Sequence, residues 1–288
     1  TYSRNIERML NEKVYGMYTT GSTGEFYAID YDEYKDMVDI VSDLCGKAAM
    51  ALQIGCCSDA THKTIKLLEY AAGKEAVGGI QVNIPYWMEL TDRELIQFFK
   101  DLYNACPDMP LIHYNIPRAK RFLTGDDYLR IKEAAPNLIG SKFTFAGTYF
   151  GELQNAIIAN PDISFFVAEN LLVSSMQIGA RGCYSSIVGT NPAITLGMYA
   201  KSEAHQWDEA IQVQNKINRF ITDFFGYIEQ RGEGLIDPVA DKGMGIASGC
   251  LVGHQRCRPP YIGWSNDTID AARDWLRRNC PDFLFPAD

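Results

Sequence analysis

The stretch "MPLIHYNIPRAKRFLTGDDYLRIKEAAPNLIGSKFT", residues 109–144, decides the fold because two strand patterns flank one helix pattern. Residues 109–115 and 137–144 are short and almost continuously apolar, which is typical of parallel strands buried on both faces. Residues 125–135 between them place apolar side chains at helical spacing. The stretch therefore predicts one β-α-β unit of an α/β protein.

The same alternation recurs along the chain. Five further apolar runs begin at Val14, Ala48, Gly78, Ile163 and Gly182. Together the seven runs fit a (β/α) barrel lacking one strand or a doubly wound sheet, and we favour the barrel. Because residues 5–14 have helical spacing, we expect an eighth strand upstream of Thr1. The predicted fold is a (β/α)8 TIM barrel.

The end of the chain differs from this alternation. After the last apolar run the sequence has helical spacing and no further strand pattern, and no linker rich in Pro, Gly or Ser interrupts it. We therefore predict a barrel in residues 1–204 and a helical extension packed on it in residues 205–288.

Composition excludes several classes of partner. With 288 residues and 47% hydrophobic content, the chain is long enough to bury a large core. A formal net charge of −9 argues against nucleic acid or an anionic membrane as partner, since both require basic surface. The eight cysteines form no C-x-x-C pair and no metal-like pattern with histidine. They predict reduced thiols in a cytoplasmic protein and no metal site.

The polar side chains that interrupt apolar runs fall at one end of the predicted barrel, where barrel enzymes carry their chemistry. Lys142 stands inside "LIGSKFTF". Desolvation there would favour the neutral amine, which attacks carbonyl groups, but the ammonium can equally extend to water while its stem packs. Tyr114 is either a core tyrosine or a catalytic one. His113 should point outward, because side chains alternate along a strand.

Several other polar positions each have a functional and a structural interpretation. In "TTGSTGEFY", residues 19–27, Ser22 and Thr23 either offer donors to a small anion or simply form a turn. After the sixth run, Glu169 and Asn170 either bind a polar substrate or cap the next helix. Ser186 either contacts a ligand or is a small residue in a crowded barrel.

Taken together, "GSTGE", "YNIP" and "GSKFT" on successive strands resemble the family that includes dihydrodipicolinate synthase and N-acetylneuraminate lyase. The resemblance implies that Lys142 forms a Schiff base with pyruvate or another 2-oxo acid, which reacts with an aldehyde, and that no cofactor is needed. It implies that Tyr114 shuttles protons, that Thr23 relays them, and that Ser22 and Thr23 hold the substrate carboxylate. It also implies a homotetramer.

Departures from the family pattern limit what can be said of the substrate. Dihydrodipicolinate synthases have an arginine where this chain has Ala119, which argues against lysine biosynthesis. Glu169 and Asn170 match only in part the Asp-Glu pair of sialic acid lyases, whereas Ser186 agrees with them. Where many members have a relay tyrosine, this chain has Trp87, as in hydratase-aldolases of arylidene pyruvates. Alternatives are therefore a hydratase-aldolase or dehydratase using the same lysine, and a non-catalytic barrel that binds a 2-oxo acid.

Overall fold

The structure, a computed structural model, describes residues 1–145 and 147–286. The chain divides into two compact units. We call residues 15–21 and 29–184 the sheet unit, and residues 1–14, 22–28 and 185–288 the helical unit.

The sheet unit contains a parallel seven-stranded sheet whose strands follow one another in chain order. The strands are β1 (Gly16–Thr19), β2 (Ala51–Gly55), β3 (Val77–Val82), β4 (Leu111–Asn115), β5 (Leu138–Phe143), β6 (Ser164–Ala168) and β7 (Gly182–Tyr184). Each of the seven apolar runs of the sequence thus overlaps one strand, and only β3 begins before its run, by one residue at Val77. A parallel sheet in consecutive order, with helices between its strands, is the arrangement expected of a (β/α) barrel.

Helices connect the strands of the sheet unit. They are α2 (Tyr31–Lys47), α3 (Thr61–Ala72), α4 (Asp92–Ala105), α5 (Gly125–Ala134), α6 (Phe150–Ala159) and α7 (Leu172–Gln177). The start of α2 shows why these helices begin where they do. Asp30 accepts a hydrogen bond from the backbone N–H of Glu33 at 2.9 Å, and the Glu33 carboxylate accepts one from the Asp30 N–H at 3.3 Å. This capping box satisfies two amide donors that the first turn leaves without a helical partner.

The outer side of β4 packs against helix α5. His113 Nδ1 lies 2.9 Å from the Tyr128 hydroxyl, which in turn lies 2.7 Å from Ser141 Oγ on β5. Burial lowers the pKa of His113 to about 3, so the imidazole is neutral at physiological pH. His113 therefore faces outward as predicted, and its role is in packing.

The helical unit contains α1 (Tyr2–Asn11), α8 (Pro192–Glu203), α9 (Trp207–Gln230), α10 (Val239–Ser248) and α11 (Asn266–Asn279). Trp264 packs in the core of this unit. It is 1% exposed, and its indole N–H donates to the Gly234 carbonyl at 2.9 Å. The predicted boundary between residues 204 and 205 stays a prediction. Residues 287 and 288, the end of the predicted extension, lie outside the described residues.

Among the described residues, none of the helices combines the length and apolar character needed to cross a bilayer.

Candidate active site

Lys142 lies on β5 of the sheet unit and is surrounded by tyrosine rings. Its Nζ is 4.3 Å from the ring centre of Tyr114, 5.1 Å from that of Tyr184 and 5.5 Å from that of Tyr18. Register explains the first contact, because Tyr114 and Lys142 are paired neighbours on β4 and β5. These distances are within the range of cation–π attraction, which holds the ammonium over the ring faces. The three rings thus fix the position of the amine.

The ends of β4 and β5 are tied together by the asparagine of "YNIP". The Asn115 amide is buried, and it both donates to the Leu123 carbonyl and accepts from the Leu123 N–H, each at 2.9 Å. The Asn115 carbonyl accepts from the Thr144 hydroxyl at 2.7 Å. These bonds replace the strand pairing that ends here, so Tyr114 and Lys142 stand on a fixed backbone.

Two glutamine side chains lie beside Tyr184. Its hydroxyl donates to Gln53 Oε1, and burial raises the pKa of this tyrosine to about 12, although the amides of Gln81 and Gln53 act in the opposite direction. Gln81 is fully buried, and neither of its amide atoms completes a hydrogen bond among the described residues, although the amide lies close enough to Tyr184 to lower the pKa of that hydroxyl. A buried amide without a partner costs about 1–3 kcal/mol. The interior beside Lys142 and its three tyrosine rings therefore favours a polar occupant.

Cys57 is close to both Lys142 and Tyr18, which the sequence did not indicate. Burial raises the pKa of its thiol to about 12, although the Asn83 backbone N–H and the charge of Lys142 lower it. Because a thiol is nucleophilic only as the thiolate, Cys57 is not an activated nucleophile. All eight cysteines are free, and the described residues contain no group of three or more side chains suited to a metal ion.

The glycine of "TTGS" has a packing role within the sheet unit. A Cβ on Gly21 would lie 2.6 Å from Cε1 of Tyr18, a distance that real Cβ atoms essentially never show. Gly21 therefore gives the Tyr18 ring its space beneath Lys142. The preceding Thr20 has a φ of +60° and donates through its hydroxyl to the Gly55 carbonyl at 2.7 Å.

In the helical unit, a carboxylate joins two of the predicted site residues. Thr23 donates through Oγ1 to Asp241 Oδ2 at 2.6 Å, and the Ser186 hydroxyl donates to the same oxygen at 3.3 Å. Thr23 and Ser186 are exposed, and Asp241, in the first turn of α10, is half-buried. Asp241 could not be identified from the sequence, because 218 residues separate it from Thr23.

The "GSTGE" segment is also fixed at its far end. Glu25 is buried, forms an ion pair with Lys242, and accepts a hydrogen bond from the Arg258 N–H at 2.6 Å. Glu25 has a φ of +58°, a backbone conformation that is uncommon for residues other than glycine. These contacts hold the loop that carries Ser22 and Thr23 in place within the helical unit.

The remaining predicted residues belong to short segments after strands. Glu169 and Asn170 start a 3₁₀ turn that follows β6, with Glu169 buried and Asn170 exposed. Trp87 is 72% exposed, and Lys120 Nζ lies 5.6 Å from its ring centre. Lys120 also donates to the Trp87 carbonyl at 2.5 Å. The lysine therefore stabilises the loop that presents the indole.

The sequence model of the dihydrodipicolinate synthetase family matches residues 1–277. The chain belongs to this family. The 4-hydroxy-tetrahydrodipicolinate synthase of Ehrlichia canis is 26% identical over 75% of this chain and 73% of its own length. The N-acetylneuraminate lyase of Lactiplantibacillus plantarum is 29% identical over 73% of this chain and 71% of its own length.

A solved structure agrees on the fold. YagE of E. coli, described as a prophage protein of the dihydrodipicolinic acid synthase family in complex with pyruvate, matches with a TM-score of 0.84 at 19% identity. The match covers 96% of this chain and 90% of that one. The predicted TIM-barrel fold with C-terminal helices is therefore confirmed. Members of this dihydrodipicolinate synthetase family are lyases, and their chemistry is pyruvate-dependent.

Sequence reasoning did not find Tyr18, Tyr184 and Asp241. The two tyrosines are detectable in principle, since each alternates inward on a strand that ends in a polar motif. Asp241 is not detectable from the sequence, because its hydrogen bond with Thr23 depends on how a helix distant in sequence packs.

Proposed function

We propose that this protein is a class I aldolase or lyase, in which Lys142 forms a Schiff base with pyruvate or a related 2-oxo acid. The observation that carries the proposal is the position of the Lys142 amine, which is held by three tyrosine rings, one of them that of Tyr114. Membership of the dihydrodipicolinate synthetase family supports it. The unpartnered amide of Gln81 also supports a polar occupant in this interior.

The chemistry follows from an amine and a hydroxyl side by side. The neutral Lys142 amine adds to the ketone carbon, and the resulting carbinolamine loses water to give an iminium. The iminium withdraws electrons while a carbon–carbon bond forms to an aldehyde or breaks to release one. In this proposal Tyr114 donates and accepts the protons of these steps, and Thr23 relays them.

Substrate binding is assigned to groups of complementary chemistry. Ser22 offers its hydroxyl and amide to the carboxylate of the 2-oxo acid, and Thr23 assists it. Glu169, Asn170 and Ser186 contact the polar part of the second substrate. No metal or organic cofactor takes part in the proposed steps.

Covalent trapping tests the proposal. Incubation with pyruvate and borohydride should place a reduced pyruvyl group on Lys142, located by peptide mass spectrometry, and Lys142→Ala should abolish both labelling and turnover. Lys132→Ala is the matched control, because Lys132 is in the same unit and pairs with Asp162 at 2.6 Å. An unlabelled protein that still binds pyruvate would identify a non-catalytic 2-oxo acid-binding barrel.

A second candidate, a hydratase-aldolase of arylidene pyruvates, is favoured by the exposure of Trp87. Core packing is the usual role of tryptophan, yet this indole is 72% exposed after β3. A flat indole favours an aromatic aldehyde, since offset aromatic pairs contribute about 0.5–1.5 kcal/mol beyond burial. A polyhydroxylated sugar gains less from the same surface.

A panel of aldehydes separates the two candidates. We expect pyruvate to condense with benzaldehydes faster than with N-acetylmannosamine, and Trp87→Ala to impair the aromatic partners about 2- to 12-fold, from the same stacking energy. Met88→Ala is the control, because Met88 is equally exposed but has no ring. Efficient sialic acid cleavage that Trp87→Ala leaves intact would instead favour a sialic acid lyase.

A further inference from the structure

The hydrogen bond from Thr23 to Asp241 bears on how protons leave the site. A threonine hydroxyl has a single proton, and Thr23 gives it to Asp241 Oδ2 at 2.6 Å. In this arrangement the Thr23 oxygen presents only lone pairs to any other group. The Thr23 hydroxyl is therefore oriented to receive a proton from another group, and only the backbone N–H of Thr23 remains to donate to a substrate carboxylate.

A relay through Thr23 then needs a group that takes the second proton. When a donor transfers its proton to Thr23 Oγ1, the original Thr23 proton must move on, because a doubly protonated hydroxyl is a strong acid. Asp241 Oδ2 already accepts that proton in a hydrogen bond of 2.6 Å, a length typical of a charged acceptor. The Ser186 hydroxyl donates to the same oxygen and helps to hold it in position.

We propose that Asp241 is a positioning residue for the reaction, acting through Thr23 as the terminal proton acceptor of the relay. In the forward transfer the donor O–H bond breaks, an O–H bond forms on Thr23, and the earlier Thr23 proton ends on Asp241 as a neutral carboxylic acid. The reverse transfer restores the carboxylate, and no electrons are exchanged. The inference rests on the proposed function, which makes Thr23 a proton relay.

The surroundings of Asp241 suit this role. Its half-buried side chain is reached by water, so that the proton it receives exchanges with solvent. The next residue of α10, Lys242, is held in an ion pair with the buried Glu25. The Lys242 ammonium therefore has its own carboxylate partner, Glu25, next to the Thr23–Asp241 hydrogen bond.

Exchange of the pyruvate methyl protons in D₂O, followed by ¹H NMR, measures this relay without a choice of aldehyde. Asp241→Asn preserves size and hydrogen bonding but accepts no proton, and we expect its exchange rate to fall about 10²-fold. The KM for pyruvate and the final extent of borohydride labelling on Lys142 should change little. Asp270→Asn is the control, because that exposed carboxylate pairs with Arg273 on α11.

Chemical rescue separates proton transfer from a structural role. In Asp241→Ala, formate should restore exchange in proportion to its concentration, and chloride at equal ionic strength should not. Wild-type exchange in Asp241→Asn, or a folded Asp241→Ala that does not respond to formate, would overturn the proposal. So would parallel loss of labelling and exchange in both variants, which would indicate a structural role. If the wild-type protein gives no adduct at Lys142, the proposed function itself has failed.

Discussion

Tyr114 illustrates how one side chain can serve packing and chemistry together. It is 5% exposed, and its ring contacts the Lys142 ammonium. Its hydroxyl is the only part that phenylalanine lacks. The two contributions can therefore be separated by a single substitution.

We predict that Tyr114→Phe lowers kcat by about 10²–10⁴, because the ring stays in place while the proton-transfer group is lost. Tyr184→Phe is the matched control, since that ring also faces Lys142 but its hydroxyl proton goes to Gln53. Steady-state kinetics of both variants checks the prediction. Equal losses in the two, or no loss in Tyr114→Phe, would return Tyr114 to a packing role.

At this scale, the sequence predicted the residues whose position follows from strand alternation. Lys142 and Tyr114 are neighbours because β4 and β5 are adjacent parallel strands, which the apolar runs already indicate. The contact of Thr23 with Asp241 was not predictable, because no local periodicity relates a loop to a helix more than two hundred residues away.

At the scale of elements, the strands were predicted better than their ends. The apolar run from Ala48 begins three residues before β2 because Ala48 caps α2 and Ala49 has a φ of +51°. The run from Gly182 continues past β7, but residues 187–189 form a 3₁₀ turn. Apolar character marks burial and does not show where backbone pairing stops.

The packing of helix α10, which carries Asp241, depends on Gly243. A Cβ on Gly243 would lie 2.3 Å from two ring atoms of Trp264, whereas Gly226 on α9 has open space around it. We predict that Gly243→Ala lowers the free energy of unfolding by about 1–3 kcal/mol through overpacking. Gly226→Ala should raise it by about 0.5–1 kcal/mol, because alanine favours the helix.

Urea unfolding of the two variants checks this pair of opposite shifts. Similar midpoints for Gly243→Ala and the unsubstituted protein would mean that α10 adjusts without cost.

On the scale of the whole molecule, we propose a homotetramer. Trp87 and Met88 are adjacent and more than 70% exposed, and adjoining apolar side chains of this size are typical of interaction surfaces. Sedimentation velocity should give a species four times the mass of the 32.3 kDa chain. Met88→Glu should shift the distribution toward smaller species, whereas Ile262→Glu, in the helical unit, serves as the exposed control. A monomer at micromolar concentration would contradict the proposal.

The positions of the tryptophans allow intrinsic fluorescence to report on the two units. Of its four tryptophans, Trp87 alone belongs to the sheet unit, and it is 72% exposed, whereas Trp264 in the helical unit is 1% exposed. Emission from a water-exposed indole is red-shifted and quenched by acrylamide, and emission from a buried one is neither. Trp207 and Trp275 of the helical unit are half-buried and add to the quenched emission. In a variant with phenylalanine at these two positions, quenching monitors the loop after β3, and the shift of the blue component on denaturation monitors the helical unit. Fluorescence can follow the two units separately without any added label.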